Sequence, residues 1–215
     1  MTKPLKIALF GATGMIGSRI AAEAARRGHQ VTALVRDPAR VPDGVANLKA
    51  AQADLLDAAS VGAALRGHDV AASAYAPPPD DLAALDRATR ALVDGMRAAG
   101  LKRLVVVGGA GSLQVAPGKQ LVDTEGFPDA YKGVALAHRN VLALYRDTAD
   151  LDWTFFAPAA LIAPGERTGT FRTGVNTLLV DAQGNSQISA EDYAIAFVDE
   201  LEQGRLIRQI ATAAY

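Results

Sequence analysis

The chain has 215 residues, half of them apolar, and a formal net charge of −1. That length supports one domain with a full core, and so small a charge provides no field that would gather nucleic acid or an anionic membrane. The absence of cysteine excludes disulfides, catalytic thiolates and zinc–thiolate sites. No secretion signal is recognisable at the start, and no apolar stretch reaches the roughly 18 residues of a membrane span. We therefore expect a soluble cytoplasmic protein without a nucleic-acid or membrane partner.

Short apolar runs alternate with helical patterns over residues 1–158. The runs are "KIALF", "QVTALV", "VANLKAAQAD", "DVAASAY", "KRLVVVGG" and "LDWTFFAP", and a glycine closes several of the helices between them. Strands that alternate with helices predict parallel pairing through right-handed crossovers. Because "LVVV" and "IALF" are apolar at every position, we expect helices on both faces of the sheet. The sequence thus predicts an α/β fold built on a doubly wound parallel sheet.

The pattern changes after Pro158. Residues 159–190 are rich in Gly, Thr and Pro and predict loops with a small hairpin around "NTLLVDAQGNSQIS", whereas residues 191–215 predict a final helix and strand. No repeat or long linker divides the chain, so we expect a single domain over residues 1–215 with its core in 1–158. The segment 159–190 is then a small C-terminal elaboration that shapes a substrate pocket at the carboxyl edge of the sheet, where ligands of such folds bind.

The stretch "FGATGMIGS" places Gly11, Gly14 and Gly17 three residues apart, directly after the first apolar run. A strand, a glycine turn and a helix beginning near Met15 bring several backbone N–H groups to one point, where the helix dipole favours an anion. Gly11 would permit the sharp turn, Gly14 the approach of a pyrophosphate, and Gly17 the close packing of helix on strand. The spacing differs from the G-x-G-x-x-G fingerprint, and a tight turn without a ligand is the alternative. We predict a dinucleotide site.

The end of the second predicted strand, "VTALVRDP", bears on which dinucleotide binds. An NAD site usually places an acidic residue there, which binds the ribose 2′-OH. This chain has Arg36 first and Asp37 second, with Arg40 close behind. Because an arginine at that edge can pair with a 2′-phosphate, we predict NADP (NADPH) as the cofactor. NAD held through Asp37, or a solvated arginine that binds nothing, are the alternatives.

Several stretches together resemble the atypical short-chain dehydrogenase/reductases. They are "FGATGMIGSRI", "VTALVRDP", "ADLLD", "VVVGGAGSL", "FPDAYK" and "ISAEDYA". Within that family the chain is most similar to the NAD(P)H-binding proteins commonly labelled NADH-flavin reductases, which are related to biliverdin reductase B and the NmrA-like group. The resemblance covers essentially the whole chain and implies a Rossmann fold, a nicotinamide cofactor and a small substrate pocket.

The resemblance also implies where the cofactor would lie. The pyrophosphate would lie over Thr13, Gly14, Met15 and Ile16, and Arg36 would face the adenosine ribose. The adenine would border Asp54 and Leu55, although an aspartate before "LLD" could equally cap a helix. The nicotinamide end would contact a set of residues that follow the fourth, fifth and sixth predicted strands: Ala74, Tyr75, Ala76, Gly108, Gly109 and Pro158.

The proton-donating residues of the family are present only in part. Short-chain dehydrogenases usually combine a serine with Tyr-x-x-x-Lys, because one helical turn places tyrosine and lysine on a common face and the lysine lowers the pKa of the tyrosine. Here Ser112 follows the fifth predicted strand and Tyr131 begins the next helix, but Ala135 stands where the lysine belongs. Lys132 points about 100° away around the helix. His138, two turns from Tyr131, could serve as an acid or a substrate contact.

Ser112, Tyr131, Lys132 and His138 are therefore the candidate catalytic residues, and ordinary turn or helix packing is the alternative for each. The broken Tyr/Lys pair favours an acceptor that takes a hydride without a strongly activated acid, such as a flavin, a quinone or a tetrapyrrole. We expect one pocket wall to be Tyr75 with residues 77–79, and the other to be Phe156, Leu161 and the loop "GERTGTFRTG". Arg167 and Arg172 in that loop could hold an anionic substrate tail.

The predicted function is an NADPH-dependent oxidoreductase that transfers a hydride to a flavin, a quinone or a similar planar acceptor. One alternative is a non-catalytic NADP-binding redox sensor of the NmrA-like type. Another is a sugar-nucleotide epimerase or dehydratase, which needs a larger C-terminal domain than the residues after Pro158 provide. Three scattered histidines predict no metal site. A monomer and a homodimer both remain open.

Overall fold

The computed structural model describes residues 3–42 and 44–215. The helices are α1 (Met15–Arg26), α2 (Ala58–Leu65), α3 (Ala84–Ala99), α4 (Asp129–Arg146) and α5 (Ala190–Gln203). The strands are β1 (Lys6–Phe10), β2 (Gln30–Val35), β3 (Leu48–Gln52), β4 (Val70–Ser73), β5 (Arg103–Val107), β6 (Gln114–Ala116), β7 (Lys119–Gln120), β8 (Asp152–Ala157), β9 (Leu161–Ala163), β10 (Arg172–Val175), β11 (Gln187–Ser189) and β12 (Gln209–Ala214). No helix in the described part of the chain is long and apolar enough to cross a bilayer.

An eight-stranded sheet forms the centre of the molecule, in the order β3-β2-β1-β4-β5-β8-β12-β10. All neighbouring pairs are parallel except β10 with β12. Side chains of β1 alternate between two cores: Ile7 and Leu9 pack in one cluster, and Ala8 and Phe10 in the other. Helices therefore cover both faces, with α1 and α5 on one side. The predicted α/β, Rossmann-type doubly wound sheet is confirmed.

The strand order positions the candidate site. The chain runs from β1 outward to β2 and β3, and then crosses back to place β4 on the other side of β1. The loops after β1 and β4 consequently leave the sheet in opposite directions and open a crevice between them. In open α/β sheets, ligands bind in the crevice outside the carboxyl ends of the strands at this reversal point.

The hairpin predicted within residues 176–189 is wrong. A turn does form there, with the Asp181 N–H donating to the Asn185 carbonyl at 2.8 Å. Its two arms do not pair with each other, because β10 pairs antiparallel with the last strand, β12, and β11 pairs parallel with β9. Each arm thus finds its partner far along the chain rather than across the turn.

The C-terminal elaboration is fastened to α5 by one buried carboxylate. Asp192 is fully buried and accepts hydrogen bonds from Thr168 Oγ1 at 2.6 Å, the Gly169 N–H at 2.8 Å and the Tyr215 hydroxyl at 3.0 Å. Its own N–H donates to the Ser189 hydroxyl at 3.0 Å, which caps α5. These contacts fix the loop between β9 and β10 against the helix and the end of the chain.

Candidate functional site

A cleft of about 830 Å³ opens where β1, β2 and β4 end. Its volume lies within the range of sites for small molecules and cofactors. The predicted cofactor residues that line it are Gly11, Thr13, Gly14, Arg36, Asp54, Leu55, Ala74, Tyr75 and Ala76. The predicted cofactor residues outside its lining are Met15, Ile16, Gly17, Gly108, Gly109 and Pro158.

Two of the three glycines in the first turn are required by packing. Gly11 has φ = +76°, and a Cβ there would lie 2.5 Å from the carbonyl of Ala74, since β1 and β4 end side by side. A Cβ on Gly17 would lie 2.0 Å from the carbonyl oxygen of Gly11. Any side chain at either position would force the turn, β4 or α1 to move. These glycines bring α1 close to the strand and aim its first turn at the cleft.

Gly14 differs from its neighbours because nothing in the protein crowds it. A Cβ there would meet only the Gly11 carbonyl oxygen at 3.5 Å, which is ordinary contact, and the residue is exposed. Gly14 is the N-cap of α1 and supplies no side-chain hydrogen bond, and the first turn carries no acidic residue. The first N–H groups of a helix need partners, and their dipole favours anions. This turn fits a pyrophosphate, with no side chain between the backbone and the cleft.

The cleft wall beyond β2 carries two arginines whose charges are not neutralised by Asp37. The Asp37 carboxylate accepts from the Ala39 N–H at 3.1 Å and caps a short 3₁₀ helix at Pro38–Arg40. Arg36 and Arg40 line the cleft and are exposed, and neither forms an ion pair with another residue among those described. Two guanidinium groups without an ion-pair partner among the described residues can bind an anion in the cleft.

Asp54 shapes the loop next to those arginines. Its carboxylate accepts from the Leu56 N–H at 2.9 Å, and its own N–H donates to Ser60 Oγ at 3.0 Å. The cap of α2 is a different residue, Asp57, whose carboxylate accepts from the Ala59 N–H at 2.9 Å. Asp54 therefore stabilises a turn that borders the cleft, and its contact with adenine stays a prediction.

Tyr75 lies between the two ends of the cleft rather than at the nicotinamide end alone. Burial raises the pKa of its hydroxyl, and the nearby charges acting on it include Arg36, Asp81 and Asp54. Arg36 and Asp54 belong to the part of the cleft predicted for the adenosine half of the cofactor. Asp81 lines the same cleft and is paired with Arg87 at 2.5 Å. Asp81 is not among the predicted site residues, although its position soon after β4 is a signal that could have found it.

The predicted catalytic residues do not form one hydrogen-bonded group. Ser112 is fully buried in a short 3₁₀ helix, and its Oγ has no hydrogen-bond partner within residues 3–42 and 44–215. Tyr131 is 64% exposed on the third residue of α4, and Lys132 beside it is exposed as well. Ala135, in the family's lysine position, is buried, and a Cβ on Gly111 would lie 2.8 Å from its methyl group. Alanine here lets the segment containing Ser112 pack directly on α4.

His138 is unsuited to the acid role that was considered for it. It lines a cavity of about 20 Å³ behind the cleft, together with Ser73, Thr89 and Tyr145. Burial lowers the pKa of His138 to about 4, so the ring is neutral near pH 7 and lacks the second ring proton that an imidazolium acid would donate. Its Nδ1 is shielded from solvent and has no partner among the described residues. That cavity is large enough for one water molecule, and its walls are partly polar.

Gly108 and Gly109 have packing reasons for lacking a side chain. A Cβ on Gly108 would lie 2.1 Å from the ring of Phe155, and one on Gly109 would lie 2.9 Å from Cβ of His138. Pro158 is buried. A role for these three residues beneath the nicotinamide stays a prediction, because core packing alone explains the two glycines.

The second predicted pocket wall is partly wrong. Phe156 is buried, with its ring edge-to-face against Tyr193 at 5.4 Å between centroids. Arg167 binds both carboxylate oxygens of Glu23, a buried residue of α1, at 3.1 Å. Arg172 donates to the backbone carbonyls of residues 180 and 215. Leu161 has an exposed side chain, at 60%.

Comparisons with known proteins indicate the family to which the chain is similar. A family model described as NAD(P)H-binding matches residues 11–203. A Bacillus subtilis protein named uncharacterized protein YwnB is 37% identical over 201 residues, which is 92% of each chain. A crystal structure of a "putative exported protein" from Burkholderia pseudomallei is 71% identical, covers 98% of this chain and 100% of its own, and has a TM-score of 0.92. A "putative NADH-flavin reductase" from Streptococcus pneumoniae is 35% identical, with coverage of 98% and 99% and a TM-score of 0.88.

Proposed function

The chain belongs to the NAD(P)H-binding family, and we propose that it is an NADPH-dependent oxidoreductase that passes a hydride to a planar small-molecule acceptor. The observation that carries the proposal is the cleft itself. It combines an uncapped helix N-terminus at Gly14 with two free arginines, Arg36 and Arg40, along one continuous wall. The two anionic parts of NADPH, its pyrophosphate and its 2′-phosphate, match these two features in charge.

Different residues of the cleft would bind the two anionic parts of the cofactor. The backbone of residues 14–17 would bind the pyrophosphate, and Arg36 with Arg40 would bind the 2′-phosphate. The engagement of Asp37 Oδ1 in its cap supports the two arginines, rather than the acidic residue of an NAD site, as the groups at the ribose edge. NADPH is therefore the preferred cofactor of this proposal, and NADH the weaker one.

Reduced nicotinamide supplies the hydride when it is bound, and the protein contributes orientation and electrostatics. This chain offers little acid catalysis: Ser112 is sealed, His138 is neutral, and no lysine follows Tyr131 by one turn. Carbonyl reduction needs a proton at the carbonyl oxygen as the hydride arrives. Flavins and quinones need much less assistance, and for that reason they are the proposed acceptors. The flavin named for the Streptococcus pneumoniae relative falls in the same chemical class.

The direct test is to mix purified protein with NADPH and riboflavin, menadione or biliverdin and follow the loss of the near-ultraviolet absorbance of reduced nicotinamide. We expect oxidation above the protein-free rate with at least one acceptor. Clear NADPH binding without any oxidation would contradict the reductase proposal.

The second candidate is a non-catalytic NADP sensor of the NmrA-like type. The burial of Ser112 and the neutrality of His138 favour it, since a sensor needs no proton donor. The same experiment separates the two proposals, because a sensor binds NADP⁺ and NADPH but turns over neither. If turnover is observed, a Ser112→Ala variant tests whether the serine contributes to it. Unchanged turnover would show that the protein contributes by positioning the reactants rather than through the Ser112 hydroxyl.

A further inference from the structure

The cleft occupies one half of the carboxyl edge of the sheet. Its lining comes from the ends of β1 and β2 and from the segments after β1, β2, β3 and β4, and it includes none of the described residues that follow β5 or β8. The glycine turn proposed for the pyrophosphate follows β1, and Arg36 and Arg40, proposed for the 2′-phosphate, follow β2. The cleft therefore matches the adenosine half of the proposed cofactor, and the adenine would lie against its remaining wall, after β3 and β4.

Helices α2 and α3 bring the two segments of that wall together. Both helices begin at the carboxyl edge, α2 after β3 and α3 after β4. They are in close contact, since a Cβ on Gly95 of α3 would lie 2.4 Å from Cγ1 of Val61 in α2. Residues 53–57 and 74–83, which lead into these helices, therefore stand on the same side of the sheet and flank the cleft. We call these two segments the base wall.

The base wall and the first residue of α3 offer apolar surface for a flat ring. The apolar residues that line the cleft there include Leu55, Leu56, Tyr75, Pro78 and Ala84. Leu56 is 45% exposed, so part of this surface is not covered by the protein. Burying it against an aromatic base would be favourable. A base held in this way is recognised by the polar groups at its edge.

Two acids of the base wall line the cleft, and only one of them has its charge balanced. Asp54 accepts from the Leu56 N–H at 2.9 Å and forms no ion pair among the described residues. Asp81 Oδ2 is paired with Arg87 at 2.5 Å, and Asp81 Oδ1 accepts no hydrogen bond from the described part of the chain. Because Arg87 balances its charge, Asp81 can approach a phosphate-bearing ligand at a lower electrostatic cost than Asp54. Asp81 Oδ1 is thus the better acceptor for a group of the ligand.

The segment that carries Asp81 is fixed on both sides. The Asp81 N–H donates to the Pro78 carbonyl at 3.0 Å, and the Ala84 N–H donates to the Asp81 carbonyl at 3.1 Å. The next residue, Leu82, packs on α4, where a Cβ on Gly133 would lie 2.9 Å from Leu82 Cδ1. Asp81 therefore has a defined place before a ligand binds, which lowers the entropic cost of a contact.

Tyr75 connects Asp81 with the arginine side of the cleft. Burial raises the pKa of the Tyr75 hydroxyl, and the charges of Arg36 and Asp81 act on that pKa in opposite directions. The hydroxyl therefore lies near both charges. This places Asp81 across the cleft from the group proposed for the 2′-phosphate.

We propose that Asp81 selects adenine over other purines by accepting a hydrogen bond from the 6-amino group of the base. Arg87 is the positioning residue for that contact, because it orients the carboxylate and balances its charge. The inference rests on the proposed dinucleotide-binding function. In hypoxanthine a carbonyl oxygen replaces the amino group, so two acceptors would face each other without a proton between them. An acceptor left unpaired in this way is costly where water is excluded.

NADP⁺ and nicotinamide hypoxanthine dinucleotide phosphate provide a matched test, because they differ only in the replacement of the purine 6-amino group by an oxo group. Their dissociation constants are measured by calorimetric titration of the purified protein, so the result does not depend on turnover. We expect NADP⁺ to bind at least about tenfold more tightly than the hypoxanthine analogue. Equal affinities would overturn the inference.

Asp81→Asn tests the assignment to this residue. The amide keeps the shape of the carboxylate and presents either an acceptor or a donor, so the preference for NADP⁺ should fall to about threefold or less. Asp86→Asn is the matched control, because Asp86 is paired with Arg90 on α3 outside the lining of the cleft and should keep the preference. Asp54→Asn tests the other acid of the base wall. A preference that survives Asp81→Asn, or that is lost in Asp54→Asn instead, would overturn the assignment.

Arg87→Ala tests the positioning role. Without the guanidinium, the charge of Asp81 is unbalanced beside an anionic cofactor, so NADP⁺ and its analogue should both bind about threefold more weakly at low salt. The loss should shrink at high salt, and Arg87→Lys should restore most of it. Arg90→Ala, which removes an exposed arginine paired elsewhere on α3, should change neither affinity. Unchanged affinities in Arg87→Ala would remove Arg87 from this role.

The failure of this inference differs from the failure of the proposed function. Equal binding of the two dinucleotides together with NADPH oxidation would overturn the role of Asp81 and leave the reductase standing. A tenfold preference for NADP⁺ without any NADPH oxidation would do the reverse. If neither dinucleotide binds, both proposals fall.

Discussion

The arginines of the cleft and those of the C-terminal elaboration are the same residue type in opposite circumstances. Arg36 and Arg40 project into an 830 Å³ cleft, and their sequence neighbour Asp37 is occupied by a backbone N–H. Arg167 and Arg172 are bound to a carboxylate and to backbone carbonyls. Free charge beside a cavity indicates a ligand, whereas charge that is already satisfied indicates architecture. Whether an arginine binds a ligand or stabilises the fold depends on the partner of its guanidinium group, and the sequence does not show that partner.

The largest effect should come from Gly17→Ala. The added methyl group would lie 2.0 Å from the Gly11 carbonyl, so we expect the free energy of unfolding to drop by about 3 kcal/mol. Gly14→Ala is the matched control, because its Cβ has an ordinary 3.5 Å contact. Denaturant melts should show Gly14→Ala near wild type, and NADPH titration should show it binding more weakly. Equal stability of the two variants would contradict the packing argument.

Asp192→Ala should be next, with a loss of about 2 to 3 kcal/mol in unfolding free energy. The change removes the buried carboxylate that accepts hydrogen bonds from Thr168, Gly169 and Tyr215. NADPH affinity should stay within a factor of about two, because the cleft lies on the other side of the glycine turn. A large loss of NADPH affinity with normal stability would show that the elaboration and the cleft are coupled, against this separation.

Arg36→Ala tests the free-charge half of the comparison. We expect affinity for 2′,5′-ADP to fall by about 30-fold, or roughly 2 kcal/mol, with little change for 5′-ADP. Arg90→Ala removes an equally exposed arginine that is paired with Asp86 on α3, and should change neither. Calorimetric titration gives both constants. Unchanged affinity for 2′,5′-ADP would remove Arg36 from the site.

A smaller effect concerns pH. The pKa of His138 is lowered by burial from 6.5 to about 4, so between those values the unfolded chain binds a proton that the folded chain does not. The free energy of unfolding should therefore fall as pH drops from 6.5 toward 4, by up to about 2.5 kcal/mol from this ring. His138→Gln should lose less stability over that interval. Parallel curves for the two proteins would show that His138 titrates normally.

Sequence patterns predicted the parts of this molecule whose causes are local. The alternation of apolar runs and helices predicted the parallel sheet, and the spacing of Gly11, Gly14 and Gly17 predicted the turn that faces the cleft. The family resemblance is confirmed by the model that matches residues 11–203. In each case the signal lies within a few residues of the structure it specifies.

The predictions that were wrong share one physical cause, because each concerns a residue or strand whose packing partners are distant in the sequence. The hairpin failed because β10 pairs with β12 and β11 with β9, neither of which is adjacent in sequence. Phe156 was predicted to form part of a pocket wall, but it lies within β8 and its side of the sheet is covered by α5. The burial of Ser112 depends on the α4 methyl group opposite Gly111. Such contacts leave no periodic trace in the sequence.

We propose that the cleft binds a dinucleotide that carries a 2′-phosphate. Calorimetric titration of the purified protein with NADPH and with NADH tests this preference. We expect one site per chain and an affinity for NADPH at least about tenfold above that for NADH. Equal affinities, or binding of neither dinucleotide, would contradict it.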